Sequence, residues 1–270
     1  LAVGKILAVT NQKGGVGKTT SCINLSASLV ATKRKVLLVD MDPQGNATTG
    51  SGINKHGLEY SSYHVLTGRC TIDQVIQNAE EAGYDVVPTN ADLTAAEVEL
   101  MSMEARETRL RNALSAVSDR YDFILIDCPP SLNMLTLNAL TAAEGVIIPM
   151  QCEYYALEGL TALMETITGI RQTVNPKLHI EGLLRTMYDP RMGLTNEVSR
   201  QLIGHFGDQV YRTVIPRNVR LAEAPSHGKP VLAYDRTSRG AVAYLALAGE
   251  LVRRQEALNK GLKTERKTGT

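Results

Sequence analysis

Short apolar runs alternate with longer amphipathic stretches along almost the whole chain. Residues 5–10, 36–40, 84–88, 123–127, 145–150, 179–184 and 210–215 predict strands. The stretches 18–32, 104–118, 132–142, 155–174 and 195–206 predict helices. Several strands, such as Val36-Leu37-Leu38-Val39 and Phe123-Ile124-Leu125-Ile126, are unbroken hydrophobic runs, as expected of a parallel sheet covered on both faces. The alternation predicts an α/β fold: a doubly wound, mostly parallel sheet flanked by helices, with its ligand at the carboxyl ends of the strands. Residues 45–75, rich in Gly, Ser and Thr, read as loops and short helices over that end. A last helix, from about Arg239 to Ala257, brings Val242, Leu245, Leu247 and Leu251 to its apolar side. Residues 1–258 thus predict one domain, and 259–270 a polar, flexible tail.

The first strand runs directly into Lys13-Gly14-Gly15-Val16-Gly17-Lys18-Thr19-Thr20, which opens the first helix. Strand, glycine loop and helix is the setting in which such a motif binds phosphate. Glycines let backbone N–H groups close around an anion, and the helix start adds unpaired donors and its dipole. Residues 13–20 are therefore nucleotide-binding candidates, with Lys18 reaching the β/γ phosphates and the Thr19 hydroxyl ligating Mg²⁺. The general pattern wants glycine where this chain has Gln12, and a second lysine, Lys13, stands at the loop mouth instead. A second cation beside a phosphate terminus makes chemical sense. Spacing alone leaves open whether it serves its own subunit or another.

Two further strands end in carboxylates. The second closes on Asp40-Met41-Asp42-Pro43-Gln44-Gly45-Asn46, so both acids can face the phosphate and metal. Asp42 is the better candidate to orient or deprotonate the attacking water, with Asp40 nearer the metal shell. An isolated Asp-Pro turn would read equally well as solvated; beside this loop it reads as chemistry. The run Phe123–Ile126 closes on Asp127, the rigid carboxylate a Walker B site holds beside Mg²⁺. Cys128 has no basic neighbour in sequence and reads as core filling.

Lys13-Gly-Gly-Val-Gly-Lys18-Thr resembles the deviant Walker A motif of the ParA/MinD superfamily, and Asp40-x-Asp42-Pro-Gln-Gly-Asn resembles that family's A′ motif. The resemblance spans residues 4–257 and points to the ParA/Soj chromosome-partitioning ATPases. It implies ATP and Mg²⁺ as cofactors, and a nucleotide-sandwich homodimer in which Lys13 is catalytic across the interface. It also implies Lys18 and Asp42 as catalytic groups, with Thr19, Asp40 and Asp127 around the metal. Pro216, Arg217 and Asn218 are similar to the adenine-binding loop. Arg191 and Arg220 match arginines that bind nonspecific double-stranded DNA once the dimer forms. The run through Tyr154 and Tyr155 resembles a segment near the γ-phosphate and dimer contact. A ParB/Spo0J-type partner is implied as the stimulator of slow hydrolysis.

Composition narrows this further. The 270 residues are 43% hydrophobic and 21% charged with a net charge of +1, so any nucleic-acid surface must be a local patch. Aromatics make up 4% with no Trp, which argues against a stacking single-strand binder. Four cysteines without metal spacing, no signal-peptide pattern and no apolar run near the ~20 residues of a spanning helix predict a cytoplasmic protein, and the resemblance implies that it is nucleoid-associated. The alternative is a MinD-like positioning ATPase acting on a membrane or protein surface. An amphipathic anchor for it would need bulky apolar residues in the tail, where Leu262 stands alone after residue 258, so no membrane partner is expected. His227, in a Ser-His-Gly turn, reads as structural or solvated rather than catalytic.

Overall fold

The computed structural model describes residues 4–268, with side chains through Leu258. Its strands are β1 (Lys5–Val9), β2 (Val36–Asp40), β3 (Gln77–Ala79), β4 (Tyr84–Val87), β5 (Phe123–Asp127), β6 (Gly145–Gln151) and β7 (His179–Thr186). Its helices are α1 (Lys18–Ala31), α2 (Asn46–Gly50), α3 (Ser62–Thr67), α4 (Leu93–Leu100), α5 (Arg109–Ser115), α6 (Met134–Ala142), α7 (Ala156–Thr173), α8 (Gly193–Phe206), α9 (Val219–Glu223), α10 (Val231–Tyr234) and α11 (Arg239–Thr268).

The strands form one sheet in the order β3-β4-β2-β5-β1-β6-β7, parallel throughout except for the edge strand β3. Alternation within each buried run divides the core in two. Ile6, Ala8, Leu37 and Val39 face Leu110, Leu135 and Leu163 on one side. Leu7, Val9, Val36 and Leu38 face Leu25, Leu29, Leu247 and Leu251 on the other. Helices α1 and α11 cover that second face. This is why the apolar runs are unbroken rather than alternating. β1 lies between β5 and β6, with Val9 opposite both Asp127 and Ile147. The loop leaving β1 is thereby flanked by the ends of both neighbours.

Some expectations need correcting. Residues 210–215 form no strand. The segment 210–216 instead touches β7 and the turn after it through two isolated bridges, Leu183 with Val210 and Tyr188 with Pro216. Between these, the Arg212 and Thr213 amides donate to the Glu250 carboxylate on α11, both at 2.9 Å, instead of to the sheet. The helix placed at 104–118 shortens to α5, because residues 101–108 turn, with Ala105 at a φ of 52°. β3 is short and polar and pairs only at the edge, so periodicity does not reveal it. On α11 the buried positions are Ala241, Tyr244, Leu247, Ala248 and Leu251, while Val242 is exposed. The α11 backbone continues through residues 259–268 of the expected tail; its last two residues lie outside the described ones. No described helix is long and apolar enough to cross a membrane.

Candidate nucleotide site

The glycine loop is built by two left-handed residues, Gly15 at φ 72° and Gly17 at φ 89°. A side chain would be strained at both. Gly17 caps α1, and no side chain caps the helix. The first-turn amides of this 14-residue helix, together with its dipole, can therefore receive an anion. The loop is tied down on both sides. The Thr186 hydroxyl donates to the Val16 carbonyl at 2.8 Å, and Asn11 Nδ2 donates to the Pro149 carbonyl at 2.8 Å. Asn11 Oδ1 in turn accepts the Lys13 amide at 3.0 Å.

The two lysines sit in contrasting places. Lys18 is buried, and its ammonium donates to the Lys13 carbonyl at 3.1 Å across the loop. Burial pushes its pKa down, against the pull of the Asp127 and Asp42 carboxylates. Lys13 is half-exposed and pairs with Glu153 at 2.5 Å. Next to Glu153 stand Tyr154 and Tyr155, 73% and 68% exposed and packed edge to face at 5.0 Å.

Asp40 and Asp127 are adjacent across the β2–β5 ladder and fully buried. Their oxygens are used differently. Asp40 Oδ1 accepts the Asp42 amide at 3.1 Å, and Oδ2 accepts the Thr48 amide at 2.8 Å and its hydroxyl at 2.7 Å. Burial still raises its pKa to about 6 despite these bonds. Asp127 Oδ1 accepts only the weak Cys22 thiol at 3.5 Å, and Oδ2 has no partner at all. Burial, with Asp40 beside it, pushes the Asp127 carboxyl well above the usual range. An orphaned buried carboxylate oxygen beside the Thr19 hydroxyl suits a hard cation that completes its shell with phosphate and water. Among the described residues no three acidic, His or Cys side chains cluster to hold a metal by themselves. Asp40, assigned to the metal shell from sequence, has both oxygens committed within the protein; its place is behind Asp42. Asp42 is half-buried, with Oδ1 accepting the Gln44 amide at 3.0 Å.

Pro216, Arg217 and Asn218 do line a cavity of about 200 Å³, which opens against Gly17 and Thr20. Asn218 Oδ1 is buried there without a partner. Thr186 and Met187, where β7 ends in a loop of the kind that suits a base pocket, also line the cavity, as does Tyr244, which sequence reasoning missed. Met187 has a φ of 48°, an uncommon conformation of the kind that clusters at ligand sites. Tyr244 shares a hydrogen bond of 3.0 Å with Ser21 and so joins α11 to α1 behind the cavity.

The two arginines assigned to DNA are both engaged by acids. Arg191, 87% exposed, makes a bidentate pair with Asp189 at 2.9 and 2.7 Å. The bonds from Arg191 hold the Asp189 carboxyl down at about 2. Arg220 pairs with Glu223 at 2.8 Å and Asp235 at 3.4 Å. His227 stacks on Tyr234 at 4.9 Å, a structural role. All four thiols are free, and burial raises each above its ordinary value, so none is a ready nucleophile.

Comparison with known proteins agrees with this geometry. A family model described as an AAA domain matches residues 4–180. The chain is 53% identical to the sporulation initiation inhibitor protein Soj of Bacillus subtilis, over 92% of this chain and 98% of that protein. It is 51% identical to the chromosome partitioning protein ParA of Caulobacter vibrioides, over 93% and 95%. Among solved structures it is similar to one titled cobyrinic acid a,c-diamide synthase from Mycobacterium smegmatis with bound ADP and magnesium. That match has a TM-score of 0.83 and 37% identity, covering 94% of this chain and 96% of that one. Glycine loop, deviant lysine, paired strand-end carboxylates and these relatives together make the chain a member of the ParA/Soj family of chromosome-partitioning ATPases.

Proposed function

We propose that the chain is an ATP-hydrolysing switch for chromosome segregation that binds DNA nonspecifically as an ATP-bound homodimer and releases it on hydrolysis. The observation that carries this reading is the orphaned Asp127 Oδ2, buried beside Thr19 and Lys18 at the mouth of the glycine loop. The loop amides and Lys18 hold the phosphates of ATP, and Thr19 with Asp127 holds Mg²⁺. That ion neutralises phosphate charge and fixes the geometry for displacement. Asn218 Oδ1 accepts a hydrogen bond from the adenine amino group, which guanine lacks at that position. Asp42, half-buried at the edge of the site, orients the attacking water.

Lys13 exchanges Glu153 for the nucleotide of a second copy, bringing the exposed Tyr154 and Tyr155 toward the dimer contact. Such an exposed ion pair costs little to open. In the dimer, Arg191 and Arg220 of both copies exchange their carboxylates for DNA phosphates, and binding falls steeply with salt. A ParB/Spo0J-type protein stimulates hydrolysis, and the protein is nucleoid-associated while ATP is bound.

DNA co-sedimentation at moderate salt tests the reading, without nucleotide, with ADP and with ATP. Binding is expected only with ATP, prolonged in Asp42→Ala and lost in Arg220→Ala. Binding that ignores nucleotide would overturn the switch. No DNA binding in any state would move the protein toward a positioning ATPase on another surface, with liposomes the next one to try.

A further inference from the structure

Asp40 is fully buried and holds three donors, none of them from the glycine loop, and it does not line the cavity. Those donors belong to a closed brace. The Thr89 amide, just past β4, donates to Thr48 Oγ1 at 2.9 Å. The Thr48 hydroxyl then spends its own proton on Asp40 Oδ2, and the Thr48 amide donates to the same oxygen. The opposite oxygen, Oδ1, receives the Asp42 amide. The one hydroxyl accepts from a buried backbone amide and donates to a carboxylate at the same time. Both ends of this chain are backbone, so it fixes the path of residues 40–48 relative to β4.

Two independent contacts pin the same segment. Gly45 has a φ of 62°, and a Cβ there would meet the Thr89 carbonyl oxygen at 2.9 Å, so the turn lies against β4's exit. The Ser62 hydroxyl donates to the Asp40 carbonyl at 2.7 Å. Within the turn, the Gly45 amide donates to the Asp42 carbonyl at 2.8 Å, which leaves Asp42 held at its own N–H and C=O.

We propose that Thr48 is a positioning residue for ATP hydrolysis, holding Asp42 at its working place through Asp40 and Thr89. The inference rests on the reading of Asp42 as the water-orienting carboxylate. Thr48→Val keeps the shape but removes both side-chain bonds, orphaning the Thr89 amide and leaving Asp40 Oδ2 held by the Thr48 amide alone. Thr48→Ser keeps both bonds.

Single-turnover hydrolysis, ATP affinity and the melting temperature, measured on the same variants, test the proposal. Thr48→Val is expected to slow hydrolysis about ten-fold or more with ATP affinity unchanged, as for a misplaced catalytic group. Thr48→Ser is expected to restore the rate. On an Asp42→Ala background Thr48→Val is expected to slow hydrolysis no further. A wild-type rate in Thr48→Val would overturn the proposal. So would a loss that tracks ATP affinity, or one that persists in full on Asp42→Ala. Should Thr48→Val not fold, Thr48→Ala carries the same comparison. A wild-type rate in Asp42→Ala alone would instead remove the role of Asp42, a separate failure.

Discussion

Asp127 and Glu181 are both buried, at opposite ends of the same sheet, and their surroundings could hardly differ more. Glu181, near the amino end of β7, accepts the Lys5 ammonium at 2.6 Å and the His179 ring at 3.2 Å. Burial alone would raise its pKa, but the His179 hydrogen bond and the Lys5 charge outweigh it, and the carboxyl titrates below its usual range. Around it, Arg254 stacks 4.4 Å from the Tyr211 ring and pairs with Glu250. Asp127, at the carboxyl end of β5, is pushed up by burial and by Asp40, and one oxygen has no partner. A buried carboxylate with matched partners holds the fold together. One that the protein leaves uncompensated marks where a cation and substrate belong.

Removing either acid's function should separate the two roles. The largest effect is expected from Asp127→Asn, with ATP hydrolysis falling by about a hundred-fold or more, as when a group stabilising transition-state charge is lost. The nucleotide-free protein should become no less stable, and its melting temperature should rise, because an uncompensated buried charge is gone. The opposite pattern is expected of Lys5→Met. Urea unfolding should show a loss of about 3 kcal/mol, since Glu181 is left buried without its main counter-charge. Hydrolysis per folded molecule should be unchanged. A Lys5→Met protein as stable as wild type would break the comparison.

The exposed pairs extend it to the surface. Asp189 and Arg191 are bonded as closely as the buried groups, but water and salt screen them, so the pair is exchangeable. Asp189→Asn should tighten ATP-dependent DNA binding about two- to five-fold in a co-sedimentation titration. On an Arg191→Ala background the same change should gain less, which separates release of the arginine from a general charge effect.

The smallest effect concerns pH. The Glu181 pKa is depressed on folding, so its contribution is present above the ordinary Glu value, about 4.3, and is lost as pH falls through the folded value. His179 is raised by its hydrogen bond to Glu181, so its contribution is complete below about 6.5 and is lost as pH rises through the folded value. Melting temperatures should show the cluster stabilising most between these limits. His179→Gln should flatten the alkaline side, and slightly, because the ring is half-exposed.

Much of the nucleotide site was legible because its signals are local. The glycine loop, Thr19 and Lys18 are contiguous, and Asp127 is announced by the apolar run before it. Both faces of the sheet could be read from the same runs. What stayed hidden depends on groups distant in sequence. Residues 210–215 look like a strand until Glu250 takes two of their amides. Asp40 reads as part of the metal shell until Thr48 claims one of its oxygens. Tyr244 enters the cavity wall from α11, where nothing in its neighbours marks it. The carboxylates on Lys13, Arg191 and Arg220 carry no motif, yet they decide what those cations must give up before binding.

The most direct test is the melting-temperature shift produced by ATP with and without Mg²⁺, in wild type and in Asp127→Asn. Ligands that bind the folded state raise its stability in proportion to affinity and concentration. If the orphaned carboxylate is the metal's seat, Mg²⁺ enlarges the ATP shift in wild type and adds nothing in Asp127→Asn, which still responds to ATP alone. An undiminished Mg²⁺ increment in Asp127→Asn would contradict the account.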